Sequence, residues 1–149
     1  MKLSPIGIIA NILWYEIKNH APNIQLDQFV VMPNHIHGIL ILPPNDNNGV
    51  VAVVEARHAL PLRNENNISG NCNFEYGQQR FRNPGKNTVS SIIGGYKSAV
   101  TKHAHRLGFE FAWQTRFHDH IVRNEESFKR IAKYIAENPA KWGDDQFHQ

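Results

Sequence analysis

A chain of 149 residues with 41% hydrophobic and 19% charged content is long enough to bury one core and short for two. It holds no apolar run of about 18 residues, which excludes a transmembrane helix, and no signal-peptide cleavage pattern follows Met1-Lys2-Leu3-Ser4-Pro5. Its single cysteine, Cys72, excludes an internal disulfide and suits a reducing cytoplasm, the expected location. The net charge of +3 is unevenly spread: residues 1–50 carry two Lys/Arg against three Asp/Glu, whereas Arg80 to Lys133 carries eleven against four. That asymmetry points to a polyanionic partner, with a solvated basic face as the plainer alternative.

In chain order, Ser4-Pro5 reads as a helix cap followed by proline at the first helical position. Ile8, Ile9, Ile12, Leu13 and Ile17 form the predicted buried stripe of a helix that runs to about residue 20, where Ala21-Pro22-Asn23 breaks it. Residues 24–32 and 35–42 read as two strands of a hairpin, with Pro33-Asn34 as the turn. Residues 43–87 are dense in Asn, Gly and Arg and contain one short apolar run, Val50 to Val54; the prediction is a flexible surface insertion. From Ser90, the positions Ile92, Ile93, Tyr96, Val100 and Ala104 recur at helical spacing. Strand-like pieces follow, notably Phe117 to Val122. Asn124 then caps a last helix with Glu125 and Glu126 in its first turn and Asn138-Pro139 at its end. The whole is expected to be one domain over residues 1–149.

The sharpest chemical feature is Pro33-Asn34-His35-Ile36-His37-Gly38. Side chains alternate along a strand, so His35 and His37 share a face, about 7 Å apart along the backbone. Two imidazoles at that spacing converge on one metal ion, and burying both without a partner would be costly. Gly38 is expected to leave room beside them. His103 and His105, in a helical stretch, point apart. His118 and His120 flank Asp119, and either converge on an ion or sit beside a phosphate. In the last helix Phe128, Ile131 and Ile135 make the core stripe, while Tyr134 and Asn138, four apart, share a flank. Taken singly, Tyr134 reads as a packing residue and Asn138 as a helix stop.

Together these segments are similar to another set of proteins. Leu26-Asp27-Gln28-Phe29-Val30-Val31-Met32-Pro33-Asn34-His35-Ile36-His37-Gly38, Ser91-Ile92-Ile93-Gly94-Gly95-Tyr96-Lys97-Ser98, Trp113-Gln114, Phe117-His118-Asp119-His120-Ile121-Val122-Arg123 and Tyr134-Ile135-Ala136-Glu137-Asn138-Pro139 resemble the single-tyrosine HUH transposases of the insertion-sequence type, most nearly the branch associated with repetitive extragenic palindromes (REP). The resemblance implies an α+β, ferredoxin-like antiparallel sheet with helices packed on one face. It implies Tyr134 as nucleophile, and His35, His37 and Asn138 as ligands of Mg²⁺ or Mn²⁺. The implied partner is single-stranded DNA with a hairpin, and the implied activity is cleavage and rejoining through a 5′-phosphotyrosine, in a monomer or homodimer.

Lys97, Lys102, Arg116, His120, Arg123 and Arg130 are the expected DNA contacts, with Arg130 or Lys133 also favouring the phenolate. Tyr96 and Trp113 are candidates for stacking on unpaired bases. The family's sheet opens with a strand ahead of the first helix, and Met1 falls where that strand should have ended, so the chain is expected to lack it. The alternative is a catalytically decayed relative that binds DNA hairpins. A histidine-triad hydrolase would need a third histidine at position 39, where this chain has Ile39.

Overall fold

The computed structural model describes residues 2–45, 48–59, 88–114 and 116–144, which leaves Cys72 outside the described residues. Ser4 starts helix α1 (Pro5–Tyr15) as its spacing predicts, its Oγ accepting from the Gly7 N–H at 3.1 Å; a short α2 (Ile17–His20) continues it. The buried stripe of this helix is Gly7, Ala10, Trp14 and Ile17, whereas Ile8 and Ile12 stand 49% and 57% exposed. The expected isoleucine stripe is therefore rotated. The small residues let the helix approach the sheet, and one indole supplies more apolar surface than either isoleucine.

Strand β1 (Gln25–Val31) and β2 (His35–Asn45) form the predicted antiparallel hairpin, closed by the Met32 N–H donating to the His35 carbonyl at 2.8 Å. A third strand, β3 (Asn48–Ala59), pairs antiparallel with β2 along its length. Here the structure corrects the expectation for 43–87: its first part is a central strand, not a surface loop. The segment Val50 to Arg57 alternates, with Ala52, Val54 and Ala56 buried, and that period suits a half-buried strand better than a loop. Residues 60–87 of the expected insertion lie outside the described residues.

Helix α3 (Val89–Arg106) is capped by Thr88 and buries Ile93, Tyr96, Val100 and Ala104, the predicted stripe. Strands β4 (Ala112–Trp113) and β5 (His118–Val122) share the outer edge of β3, completing a five-stranded antiparallel sheet ordered β1-β2-β3 and then β5 or β4. Asn124 caps α4 (Glu125–Glu137), its Oδ1 accepting from the Ser127 N–H at 2.7 Å, and a 3₁₀ helix (Asn138–Asp144) follows. The α+β antiparallel sheet is thus the one expected, but its helices are not packed on one face: α1 and α3 lie on one side and α4 on the other. Among the described residues, no helix is long and apolar enough to cross a membrane.

The two faces of the sheet are covered differently. Trp14 lies flat on Phe29, ring centroids 4.2 Å apart, and meets Tyr96 edge-on at 5.4 Å. A Cβ on Gly38 would come within 2.4 Å of the Trp14 indole. Gly38 therefore makes room for the α1 core, on the face opposite His37, and not for the histidines as expected. Helices α1 and α3 fill that face, while α4 covers the other, where Tyr134 meets His37.

Candidate metal and nucleophile site

His35 and His37 are 1% and 6% exposed, and their Nε2 atoms lie 2.9 Å apart. The pair points away from the Trp14 core because Gly38, the next residue, faces that core. Asn34 orients the first ring. Its Oδ1, an oxygen that only accepts, lies 2.6 Å from His35 Nδ1, so Nδ1 carries the hydrogen and Nε2 presents a lone pair. One proton or one cation can lie between two such nitrogens. A spacing of 2.9 Å also matches two ligands at right angles around an ion with bonds of about 2.1 Å.

Tyr134 sits on α4 with its ring centroid 5.8 Å from that of His37, and remains 50% exposed. Eight residues on, the Trp142 ring lies 6.1 Å from that of His35. Asn138 falls midway in the chain between these two, at the end of α4. It is buried, and its Nδ2 has no hydrogen-bond partner among the described residues. An orphaned amide is uncommon in a folded interior and marks this carboxamide as available to a ligand. Among the described residues, no group of three His, Cys, Asp or Glu side chains is placed to hold a metal. The resemblance implies the Asn138 oxygen as a third protein donor beside the histidines. The donor set fits a divalent cation: two imidazoles, an amide, and an open side toward Tyr134.

A cavity of about 240 Å³ opens beside the pair, bounded by His37, Glu55, His118, His120, Tyr134 and Ile135. A larger, mostly apolar cavity of about 600 Å³ lies between the start of α1, Met32-Pro33 and residues 108–113. Of the site residues only His35 reaches it, so the smaller cavity is the one beside Tyr134.

His120 thus joins the site, while the expected basic contacts divide. Arg116 and Arg123 flank β5 and Arg130 lies on α4, all exposed. Lys97 and Lys102 line a separate groove along α3, in the other helical layer. Lys97 is half-buried, its Nζ donating to the Gln114 carbonyl at 2.7 Å and lying 5.7 Å from the Trp113 ring centre. The stacking role expected of Tyr96 is overturned. The residue is 3% exposed and its hydroxyl donates to the Ala10 carbonyl at 3.0 Å; burial pushes the hydroxyl's pKa far up, so it stays neutral. Trp113 is half-buried, its Nε1 donating to the Lys97 carbonyl at 3.1 Å. His103 and His105 are both exposed; His105 Nε2 lies 3.0 Å from the Phe111 carbonyl.

Sequence reasoning missed Asn34 and Glu55. The turn residue directly before His35 was a signal for the first. For the second, Glu55 and Arg57 are two apart in an alternating segment, and their ion pair at 2.9 Å lies opposite His37 and His35 in the β2–β3 register.

No protein-family model matches the chain. An uncharacterised protein of Haemophilus influenzae is 30% identical over 152 residues, covering 99% of this chain and 72% of that one. A second Haemophilus influenzae protein, which carries the provisional name of REP-associated tyrosine transposase, is 24% identical over 114 residues, covering 76% of this chain and 48% of that one. Among solved structures, a REP-associated tyrosine transposase bound to a REP hairpin matches with a TM-score of 0.54 and 22% identity, over 91% of this chain and 55% of that chain. The fold is therefore that of the transposase, and the chain spans about half the length of each of these two.

Proposed function

The chain belongs to the family of the Haemophilus influenzae protein that it matches almost from end to end, and we propose that it cuts and rejoins single-stranded DNA beside a hairpin, with Tyr134 as nucleophile. The observation that carries this reading is the placement of a half-exposed tyrosine, ring centroid 5.8 Å from His37, over two buried imidazoles whose Nε2 atoms lie 2.9 Å apart. A core needs no such pair. The DNA-hairpin partner is suggested by the transposase that shares this fold and was solved with a REP hairpin.

In this mechanism the Tyr134 Oη attacks the scissile phosphorus, the P–O3′ bond breaks, and the 3′-hydroxyl departs with a proton. The product is a 5′-phosphotyrosine that keeps a phosphodiester bond for the reverse reaction with another 3′-hydroxyl. A Mg²⁺ or Mn²⁺ ion bound by His35, His37 and Asn138 would supply Lewis acidity at a phosphate oxygen. Asn34 holds the His35 ring in the tautomer that presents Nε2. Arg130, one turn before Tyr134 on an exposed flank, adds positive potential that favours the incoming phosphate. Lys133 is ion-paired with Glu137 at 3.7 Å and contributes less.

The test is incubation of the purified chain with labelled hairpin DNA carrying single-stranded flanks, in Mn²⁺ or Mg²⁺, followed by a denaturing gel. A DNA–protein adduct is expected, absent for Tyr134→Phe and absent with chelator. DNA retained in a native gel without any adduct would instead identify a hairpin-binding protein that has lost its chemistry.

A further inference from the structure

The cavity beside Tyr134 is more than the approach to a nucleophile. Its walls are Val53 on β3 and Ile131 and Ile135 on α4, its polar groups are Glu55, His118, Asp119 and His120, and it opens on His37 and Tyr134. The strand register orders these groups. His37 on β2 is paired with Glu55 on β3, which is paired with His118 on β5, while Val53 is paired with His120 in the next row. With strands about 4.8 Å apart, the row runs from the paired imidazoles to His118 over roughly 10 Å. Among the described residues, no three of the His and acidic side chains are placed to hold an ion, so this row is no second metal site.

Resting on the reading of Tyr134 as a nucleophile on single-stranded DNA, we propose that this cavity binds one unstacked nucleobase next to the cleaved phosphate, and that Glu55 selects a base with an exocyclic amino group. At about 240 Å³ the cavity falls below the roughly 300–1,000 Å³ of sites that enclose drug-sized ligands, so it takes a single ring system and not a run of nucleotides. Apolar walls on both sides suit the faces of a base removed from its stack. Of its two carboxylates, Asp119 is exposed, whereas Glu55 is half-buried and held by Arg57, so Glu55 is the fixed acceptor. A carboxylate only accepts, so it pairs with an amino group such as cytosine N4 and rejects a carbonyl edge such as that of thymine. An acidic residue near a polyanion ordinarily repels it. Here the Arg57 Nε donates to Glu55 Oε1 at 2.9 Å, which offsets that charge and fixes the carboxylate while leaving lone pairs for the base. His118 and His120, both exposed, form the outer rim.

The experiment starts from a hairpin DNA that gives the adduct, with each nucleotide of its single-stranded flank replaced in turn by an abasic residue. Binding to the full-length Tyr134→Phe chain is followed by fluorescence anisotropy in Mn²⁺. One abasic position next to the cleaved bond is expected to weaken binding on the order of tenfold, within the range that one well-made base-edge contact discriminates. Cytosine or adenine at that position restores binding and thymine does not. Adding Glu55→Gln is expected to reduce the cytosine-over-thymine preference to less than about twofold, since an amide both donates and accepts. His118→Ala, on an exposed strand that it does not hold together, is expected to lower affinity only when that base is present. The proposal is overturned if every abasic position behaves alike, or if Glu55→Gln keeps the full preference, and in either case the adduct chemistry would still stand. If no hairpin DNA binds or forms an adduct, the nuclease reading falls and this one with it.

Discussion

The two faces of the sheet are built from the same strands to opposite ends. On β2, Ile36 and Leu40 enter a sealed core against α1 and α3, with Gly38 admitting Trp14 between them, while the alternate positions His35 and His37 turn to the other face, against Tyr134 of α4 and Trp142 of its 3₁₀ extension. The first face holds aromatic rings in direct contact, Trp14 on Phe29 and Tyr96. The second buries two imidazoles and an amide whose Nδ2 has no partner among the described residues. Burying such groups costs free energy unless a partner compensates. One face therefore supplies stability, and the other gives up part of it to bury polar groups. A comparison of this kind can be broken by mutation, since changes on the core face should lower stability and spare ligand affinity in the folded fraction, and changes on the cleft face should do the reverse.

The largest effect is expected from Trp14→Ala. Removing an indole with no exposed surface should lower the unfolding free energy by about 3–5 kcal/mol, read from the urea midpoint at constant m value. If it leaves stability intact, Trp14 is not the centre of the core. Gly38→Ala tests the same face from the strand side. The added methyl lands 2.4 Å from the indole, and overpacking should cost about 1–3 kcal/mol with little change in Mn²⁺ affinity. A fall in metal affinity without a fall in stability would mean that Gly38 serves the histidines after all. Asn34→Ala moves to the cleft face, where loss of the 2.6 Å contact to His35 Nδ1 frees the ring to adopt either tautomer. Mn²⁺ affinity should drop about 10–100-fold by titration calorimetry, with the thermal midpoint of the metal-free protein nearly unchanged. Unaltered affinity would remove Asn34 from the site.

The smallest effect sharpens the comparison. Lys129 pairs with Glu125 at 2.6 Å on the solvent side of α4, both side chains more than 70% exposed. Lys129→Ala should change stability by no more than about 0.5 kcal/mol, and less at high salt. A larger loss would show that α4 depends on its surface charges and not on Ile131 and Ile135.

The sequence by itself determined what local periodicity and capping chemistry can decide. Ser4 and Asn124 each accept a backbone hydrogen bond where a helix begins, the α3 stripe lies where its spacing put it, and of the predicted α4 stripe Ile135 is buried while Phe128 and Ile131 are half-buried. Strand alternation alone set His35 and His37 on one face, away from Ile36. The motif blocks also pointed to the family fold that the structural comparison bears out. What only the tertiary structure decided depended on partners distant in the chain. The run at Val50 to Arg57 becomes a strand because β2 and β5 are there to pair with it, and an isolated window of apolar residues carries no record of that pairing. The buried side of α1 turned on which residues fit against Gly38 and Phe29, so Trp14 took the place of Ile8 and Ile12, while Ile17 of the predicted stripe stayed buried. Glu55 entered the site through register, opposite His37, and Tyr134 reached His37 through the packing of α4 on the sheet. Periodicity acts through neighbours a few residues away, whereas a functional cleft is assembled from contacts that close loops of many tens of residues.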